Sequence, residues 1–274
     1  MKLGFIGAGN MGTAILKGVL ESGFLKPDEI AVFDVNPEQS IRFAGGKPIR
    51  IAETEEALVE GCERILLAVK PIYMNDVLQK ARPLAKGKEF ISIAAGWTFA
   101  MLTGVLDEQS GAQVLRVMPN TPAMVGEGFT ALCEQTTLSH ESLEWAKALF
   151  ATLGEVAVLP ESQFDAIVAL TGSSPAYVFM FIEAMADAAV RLGLPRALSY
   201  RAAAQAVLGS AQMVLTTGEH PGKLKDMVCS PGGTTIEAVA SLERDGFRSA
   251  VIEAMTACAE KSRMMSLPKT KEHL

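Results

Sequence analysis

The stretch Leu3-Gly4-Phe5-Ile6-Gly7-Ala8-Gly9-Asn10-Met11-Gly12 decides the fold of this chain. A short aliphatic run, which predicts a buried strand, leads directly into Gly-x-Gly-x-x-Gly, and a segment with the apolar spacing of a helix follows. In that setting the first glycine allows a tight turn, the second lets the backbone approach a pyrophosphate, and the third lets helix and strand pack closely. The helix N-terminus would face the phosphates. We therefore expect dinucleotide binding at Gly7, Gly9, Asn10, Met11 and Gly12.

The same turn can join a strand to a helix in an α/β protein that binds no nucleotide, so a second signal is needed. Asp34 supplies it, because it ends the second predicted strand, where dinucleotide-binding folds place an acid that binds the adenosine ribose. A carboxylate there favours NADH and repels the 2'-phosphate of NADPH. Arg42 is near enough in sequence to reach round to that phosphate, so the cofactor is NADPH or NADH, with a leaning towards NADH or dual use. An ordinary polar strand end is the alternative interpretation of Asp34.

Short β-branched or aliphatic runs alternate with helical segments as far as about Leu159, and this alternation predicts a doubly wound sheet of parallel strands. After Pro160 the strand signal ends, and long segments rich in Ala, Met and Leu predict helices. The fold class is therefore α/β, with a doubly wound sheet over residues 1–160 followed by an all-helical domain over 161–274. The helix predicted from Pro175 is apolar on almost every side, which indicates that another subunit covers it.

Three segments follow predicted strands at the sheet edge where open α/β sheets bind ligands. Val69-Lys70-Pro71 ends one strand and Ala94-Ala95-Gly96 ends the next, and Met118-Pro119-Asn120-Thr121-Pro122 ends a third. Each segment alone is compatible with a simple turn, but three on one edge predict a cofactor cleft. From the first two we expect further cofactor contacts: Val69, Lys70, Pro71, Ala94, Ala95 and Gly96.

Composition excludes several functions for the 274 residues. Apolar residues make up 49% and charged residues 20%, the net charge is -6, and no basic run interleaves with aromatics, so we expect no nucleic-acid partner. Charged residues interrupt the apolar runs, and we expect no membrane span. Neither the four cysteines nor the three histidines show metal-ligand spacing, so we expect no metal, reduced thiols and a cytoplasmic location. The cysteines are Cys62, Cys133, Cys229 and Cys258.

A second motif, Cys229-Ser230-Pro231-Gly232-Gly233-Thr234-Thr235-Ile236-Glu237, interrupts the helical half of the chain. Thr234 and Glu237 have the spacing of a capping box, so a helix should begin there. Successive N–H groups at Gly232 and Gly233 can form a nest for an anion, and the helix dipole adds to its attraction. A carboxylate would fit this site. The alternative is a plain turn between two helices.

Six segments together resemble Δ1-pyrroline-5-carboxylate reductases. They are Gly7 to Gly12, Val69 to Pro71, Ala94 to Gly96, Arg116 to Pro122, Gly172 to Tyr177 and Ser230 to Thr235. The resemblance implies a Rossmann-like N-terminal domain, a helical domain that dimerises, and NAD(P)H-dependent reduction of L-1-pyrroline-5-carboxylate to L-proline, the final step of proline biosynthesis. It also implies a homodimer or a higher homo-oligomer of dimers.

The resemblance also implies roles for particular residues. Backbone N–H groups and hydroxyls would hold the substrate carboxylate, from Ser230, Gly232, Gly233, Thr234 and Thr235. Thr235 would in addition hydrogen-bond the ring nitrogen as the catalytic residue. Glu161 matches an acidic position near the substrate, although it could simply cap a helix. No metal is required, because a protonated imine is already electrophilic. Met227 and Glu55 depart from asparagines that contact the cofactor in the family, so neither residue belongs to the predicted site.

Three rival functions remain open at this stage. A β-hydroxyacid-type dehydrogenase also begins with a Gly-x-Gly-x-Met-Gly turn, but it would require a lysine on the helix after Ser173-Ser174, and none occurs before Lys223. A related imine reductase would act on another C=N bond. A nucleotide-sensing protein without turnover is the third possibility.

Overall fold

The computed structural model describes residues 1–266, and contacts divide the chain into two compact units. The first unit contains Met1–Ser173 together with residues 258–266, and the second contains Ser174–Ala257. The predicted domain boundary after residue 160 stays a prediction, and residues 267–274 of the predicted helical domain lie outside the described residues.

The first unit is built on one eight-stranded sheet with the order β3-β2-β1-β4-β5-β6-β7-β8. The strand sequence moves outward from β1 in both directions, which is the doubly wound arrangement predicted from the sequence. Its strands are β1 (Leu3–Ile6), β2 (Ile30–Phe33), β3 (Arg50–Ile51), β4 (Arg64–Leu67), β5 (Glu89–Ser92), β6 (Gln113–Met118), β7 (Gly128–Thr136) and β8 (Gly154–Leu159).

Two details of the sheet differ from the prediction. Strand β7 pairs antiparallel with β6, so the predicted parallel arrangement does not hold at this one pair. Only a short 3-10 helix, Thr121–Val125, connects the two strands, whereas a parallel return needs a crossover of roughly a dozen residues or more. Strand β3 was not predicted, because it is two residues long and its side chains are exposed.

Helices cover both faces of the sheet. Ile15 of the first helix and Phe150 pack on one face, while Leu58 and Leu78 pack on the other. Strand β1 is buried throughout because it lies between these two cores, as its continuous aliphatic sequence requires. The helices of this unit are α1 (Asn10–Glu21), α2 (Pro37–Ala44), α3 (Glu55–Gly61), α4 (Met74–Ala81), α5 (Phe99–Leu106), α6 (His140–Ala151) and α7 (Phe164–Ile167), which continues as a π-helix (Val168–Gly172).

The remaining helices are α8 (Ser174–Arg191), α9 (Arg196–Thr217), α10 (Pro221–Val228), α11 (Thr234–Arg244) and α12 (Phe247–Met265). The predicted all-helical character is confirmed. Helix α10 was not predicted, because Pro221-Gly222 reads as a turn in the sequence. The proline occupies the first helical position, where its missing N–H costs nothing, and the His220 ring accepts a hydrogen bond from the Gly222 N–H at 3.0 Å.

Helix α8 leaves most of its apolar side chains exposed in the single chain. Pro175 and Ala186 are its buried residues, while Phe179 is 63% and Met180 69% exposed. The helical run Glu161–Arg191 is long and apolar enough, by length and composition, to cross a membrane. The run still contains charged residues, among them Glu183 and Asp187, so length and composition alone do not make it a membrane span. Exposed apolar patches of this kind mark contacts with other proteins or with membranes.

Candidate cofactor and substrate sites

A cavity of about 470 Å³ lies beside the Gly7 turn, at the carboxyl ends of β1, β2 and β4. Strand order reverses between β1 and β4, and open α/β sheets bind ligands at such a switch point. Five of the predicted cofactor residues line it: Gly7, Gly9, Asp34, Val69 and Lys70. The other lining residues include Tyr73, Asp76 and Lys80, which the sequence analysis did not place there. They also include Glu55, one of the two positions at which this sequence departs from an asparagine common in the family.

The glycine turn leaves open space beside its backbone. Gly7 has a φ of +100°, and a Cβ there would lie 2.7 Å from the Ala68 carbonyl oxygen, so no larger residue fits. A Cβ on Gly9 would meet no atom within 4 Å, so the space above the turn is open. Helix α1 has no side-chain cap, and its first N–H groups, from Asn10 to Gly12, precede the first helical hydrogen bond, which Thr13 donates to Gly9. These groups can bind an anion.

Asp34 has a structural task that the sequence did not indicate. Its Oδ2 accepts a hydrogen bond from the Ala8 N–H at 2.8 Å, and its Oδ1 accepts one from the Asn36 N–H at 2.9 Å. The carboxylate therefore holds the glycine turn to the end of β2 while it lines the cavity. Arg42 is exposed in the last turn of α2 and does not line the cavity.

A hydrogen bond links the first two sheet-edge segments, Val69 to Pro71 and Ala94 to Gly96, through the residue that follows the second. Trp97, which follows Ala94-Ala95-Gly96, donates from Nε1 to the Pro71 carbonyl at 2.9 Å. Lys70 is exposed at the start of a one-turn helix, Pro71–Tyr73, and lines the cavity. Ala94, Ala95 and Gly96 do not line it. Gly96 has a φ of +78° and packs against Met265, because a Cβ on it would lie 3.2 Å from the Met265 Cβ.

The third sheet-edge segment has an internal role. The Asn120 Nδ2 donates to the Thr171 carbonyl at 3.1 Å, and its Oδ1 accepts from the Phe129 N–H at 2.9 Å. Both ends of the amide are therefore used within the first unit, and Asn120 is 7% exposed. The Asn120 amide, which was a candidate for a cofactor contact, instead holds the loop between β6 and β7.

The candidate substrate segment lies in the second unit and consists of a tight turn followed by α11. Gly233 donates its N–H to the Ser230 carbonyl at 3.0 Å, and Gly232 has a φ of +66°, which with Pro231 before it matches a type II turn. The Gly233 N–H is thus used inside the turn. The predicted anion nest at Gly232 and Gly233 is therefore wrong for Gly233, whose N–H already has an acceptor.

The predicted capping box is also wrong. Helix α11 begins at Thr234, and its cap is Gly233, with φ -81° and ψ 170° and no side-chain hydrogen bond. Thr234 and Thr235 therefore occupy the first turn, where the N–H groups have no partner one turn earlier. The N–H groups without a helical acceptor are consequently those of Thr234, Thr235 and Ile236, and such groups can bind an anion. Thr235 is half-buried, whereas Ser230, Gly232 and Thr234 are exposed.

Glu161 lies in the first unit and binds other protein groups. Its Oε1 accepts hydrogen bonds from the Phe99 N–H and from the Arg116 guanidinium, both at 2.6 Å. The Arg116 side chain is 4% exposed and lies over the Phe164 ring, with 4.4 Å between the guanidinium carbon and the ring centroid. Glu161 thus caps helix α5, because it accepts a hydrogen bond from the Phe99 N–H. The alternative interpretation from the sequence was that Glu161 caps the helix that comes after it in the chain.

No cluster of three or more His, Cys, Asp or Glu side chains able to hold a metal ion occurs within residues 1–266. The four cysteines are unpaired there, and Cys62 and Cys133 are buried.

The doubly wound sheet, the uncapped helix after a glycine turn and the cavity at the switch point define a Rossmann-type dinucleotide-binding protein with a helical second unit. Residues 2–96 match the family described as NADP oxidoreductase, coenzyme F420-dependent, and residues 161–265 match pyrroline-5-carboxylate reductase dimerisation.

Comparison over the full length is more specific. The chain is 49% identical to the pyrroline-5-carboxylate reductase of Escherichia coli (strain K12), over 97% of this chain and 98% of that protein. It is 40% identical to the pyrroline-5-carboxylate reductase of Arabidopsis thaliana, over 97% of this chain and 95% of that one. The chain therefore belongs to the pyrroline-5-carboxylate reductase family.

Solved structures agree with this assignment. The pyrroline carboxylate reductase of Plasmodium falciparum, with NADP bound, has a TM-score of 0.89 at 31% identity and covers 97% of this chain and 98% of its own. The pyrroline-5-carboxylate reductase of Coxiella burnetii has a TM-score of 0.88 at 30% identity, with 97% and 99% covered. An imine reductase from Myxococcus stipitatus, at 18% identity and a TM-score of 0.56, shares the fold alone.

Proposed function

We propose that this protein is an NAD(P)H-dependent oxidoreductase that reduces L-1-pyrroline-5-carboxylate to L-proline. The observation that carries the proposal is the 49% identity, over nearly the whole of both chains, to a protein named for this activity. The glycine turn, the adjoining cavity and the turn before α11 support it independently, because they supply sites for a dinucleotide and for a carboxylate.

The first unit binds the cofactor in this proposal. The first-turn N–H groups of α1 bind the pyrophosphate, and Asp34 holds the glycine turn in place. Lys70, which is exposed at the edge of the cavity, offers a positive charge to the phosphates. The bound nicotinamide supplies the hydride that reduces the C=N bond. The contacts of Pro71, Ala94, Ala95 and Gly96 with the cofactor remain predictions.

The second unit holds the substrate. The N–H groups at the start of α11 bind its carboxylate, and the hydroxyls of Ser230 and Thr234 add hydrogen bonds. The free hydroxyl of Thr235 hydrogen-bonds the ring nitrogen, which must carry a proton once the carbon has been reduced. We assign Glu161 a structural role and not a substrate contact, because its Oε1 already accepts two hydrogen bonds within the protein.

The test is an assay of NADPH and NADH oxidation with pyrroline-5-carboxylate, in which the loss of absorbance of the reduced nicotinamide measures the rate. We expect turnover with the five-membered imino acid and much less with the six-membered homologue, and proline as the product by chromatography. A sample that is folded and binds cofactor but oxidises neither nucleotide would contradict the proposal and favour a nucleotide-sensing role. Faster turnover of the six-membered ring would favour a related imine reductase.

We also propose that the exposed apolar face of α8 is a subunit interface. The match to the dimerisation family, over residues 161–265, includes this helix. Light scattering should give at least twice the subunit mass of 29.1 kDa. Phe179→Glu should shift the mass towards the monomer, because it places a charge where an apolar contact forms. Ile41→Glu is the control, since Ile41 is 62% exposed but lies outside the dimerisation match. A wild-type monomer would contradict this proposal.

The unpaired cysteines support a cytoplasmic location.

A further inference from the structure

Glu55 is a buried acid in the wall of the cofactor cavity. It is the first residue of α3, is 3% exposed, and lines the same cavity as Asp34. Its Oε1 is buried without a hydrogen-bond partner in the described part of the chain. Its Oε2 lies 3.7 Å from the Lys80 Nζ, which is too far for a good hydrogen bond, and the Lys80 side chain is 56% exposed. A buried carboxyl with so little compensation is rare, and it points to a ligand.

The charges around Glu55 have both signs, and the Lys80 Nζ lies 3.7 Å from its Oε2. Glu56 is its neighbour on α3, and β1 and β2, which pack under that helix, contain no titratable residue. Arg82, beyond α4, is paired with Asp107 at 2.6 Å. The other titratable residues of the cavity are Asp34, Lys70, Tyr73, Asp76 and Lys80.

This environment holds Glu55 close to its midpoint at neutral pH. Burial raises the pKa of Glu55 to about 7, an effect that Lys80 opposes and Glu56 reinforces. The neutral and ionised forms are therefore both populated near pH 7, and a small change in pH changes the charge of the cavity wall. Burial of the orphaned Oε1 is the geometric reason for this behaviour.

We propose that Glu55 is a protonation switch for cofactor choice: its neutral form admits a dinucleotide that carries a 2'-phosphate, and its carboxylate disfavours that dinucleotide relative to one with a free 2'-hydroxyl. The inference rests on the proposed function, because it takes the cavity to be the dinucleotide site. It goes beyond that function in making the preference between NADP and NAD depend on pH.

The argument follows from where Asp34 lies. The acid at the end of β2 in this fold faces the adenosine ribose, so the cavity wall that Asp34 shares with Glu55 is on the adenosine side. Above neutral pH two carboxylates then share a cavity with a 2'-phosphate, which repels both. Below neutral pH the protonated Glu55 can instead donate a hydrogen bond to the phosphate. A 2'-hydroxyl carries no charge and responds much less to the change.

The first experiment measures the dissociation constants of NADP+ and NAD+ by calorimetry at pH 6.5 and pH 8.5. For the wild type we expect the ratio of the NADP+ to the NAD+ constant to rise about fivefold between these values. Glu55→Gln should abolish the rise, because glutamine has nearly the same shape and no charge at either pH. Glu53→Gln, two positions before it and exposed, should leave it unchanged. The 2'-phosphate has a pKa near 6 and is mostly ionised at both pH values, so its own titration changes the ratio little and equally in all three proteins.

The second experiment follows the ionisation of Glu55 without any cofactor. A carboxyl whose folded pKa of about 7 lies above its unfolded value of about 4.3 makes the protein less stable as pH rises through that interval. We therefore expect Glu55→Gln to melt at a higher temperature than the wild type at pH 8.5, by more than at pH 5. An equal difference at both pH values would overturn the inference.

The possible outcomes separate the two claims. If both nucleotides bind and their ratio is independent of pH, or changes alike in the wild type and Glu55→Gln, the switch is overturned while the proposed function stands. If neither nucleotide binds the folded wild type at either pH, the proposed function fails, and the switch fails with it. A wild-type ratio that changes with pH and becomes constant in Glu55→Gln supports both.

Discussion

Replacement of Glu161 by alanine is expected to lower the free energy of unfolding by about 3 kcal/mol. Removal of one partner from a buried ion pair leaves the other charge without compensation, and the Arg116 side chain is 4% exposed. The Phe99 N–H at the start of α5 loses its acceptor as well. The value lies at the lower end of the range for buried pairs, because the Glu161 side chain itself is 24% exposed and water can enter.

Urea denaturation of the wild type and two variants provides the measurement. Glu161→Gln keeps an oxygen that can accept both hydrogen bonds, so we expect it to lose less stability than Glu161→Ala. Glu53→Ala removes an exposed acid near α3 and should change stability by no more than about 0.5 kcal/mol. If Glu161→Ala were as stable as Glu53→Ala, the pair with Arg116 would contribute nothing, and the substrate role of Glu161 would have to be reconsidered.

Replacement of Thr235 by alanine is expected to reduce kcat/KM roughly 5- to 150-fold, which corresponds to the loss of one hydrogen bond worth about 1 to 3 kcal/mol in the complex. No hydrogen bond of the Thr235 hydroxyl occurs within the described residues, so its removal should leave the fold intact. The hydroxyl is therefore available to the ring nitrogen, and the expected loss is one of activity and not of stability.

Two further variants separate the hydroxyl from the rest of the side chain. Thr235→Ser keeps the hydroxyl and should retain most of the activity, whereas Thr235→Val keeps the shape without the hydroxyl and should resemble Thr235→Ala. Melting temperatures for all three should lie close to the wild type. Wild-type kinetics in Thr235→Val would exclude a role for the hydroxyl and leave the carboxylate clamp as the function of this segment.

Much of the first unit could be predicted from the sequence. Gly7 and the strand before it form a local pattern, because the turn, the positive φ and the open helix start depend on consecutive residues. The long helices of the second unit were predicted for the same reason. Helix α10 was missed because Pro221-Gly222 resembles a turn, and β3 because two exposed residues have no hydrophobic signal.

The details of the substrate segment were predicted less well. Thr234 and Glu237 have the spacing of a capping box, but Gly233 occupies the cap because the turn from Ser230 already directs the chain into the helix. The choice between two neighbouring cap residues depends on how the preceding turn closes, and the spacing of side chains does not report that. The helix start nevertheless remains a site for an anion.

The sequence by itself determined that this is a doubly wound α/β protein with a glycine turn for a dinucleotide and an all-helical second half, because these features arise from the order and spacing of nearby residues. Only the tertiary structure decided that Glu161 pairs with Arg116, that Asp34 holds the glycine turn, and that Glu55 is buried in the cavity wall without a partner for one of its oxygens. Each of these depends on groups far apart in the chain, and burial and pairing, not residue type, set the charge and the task of a carboxylate.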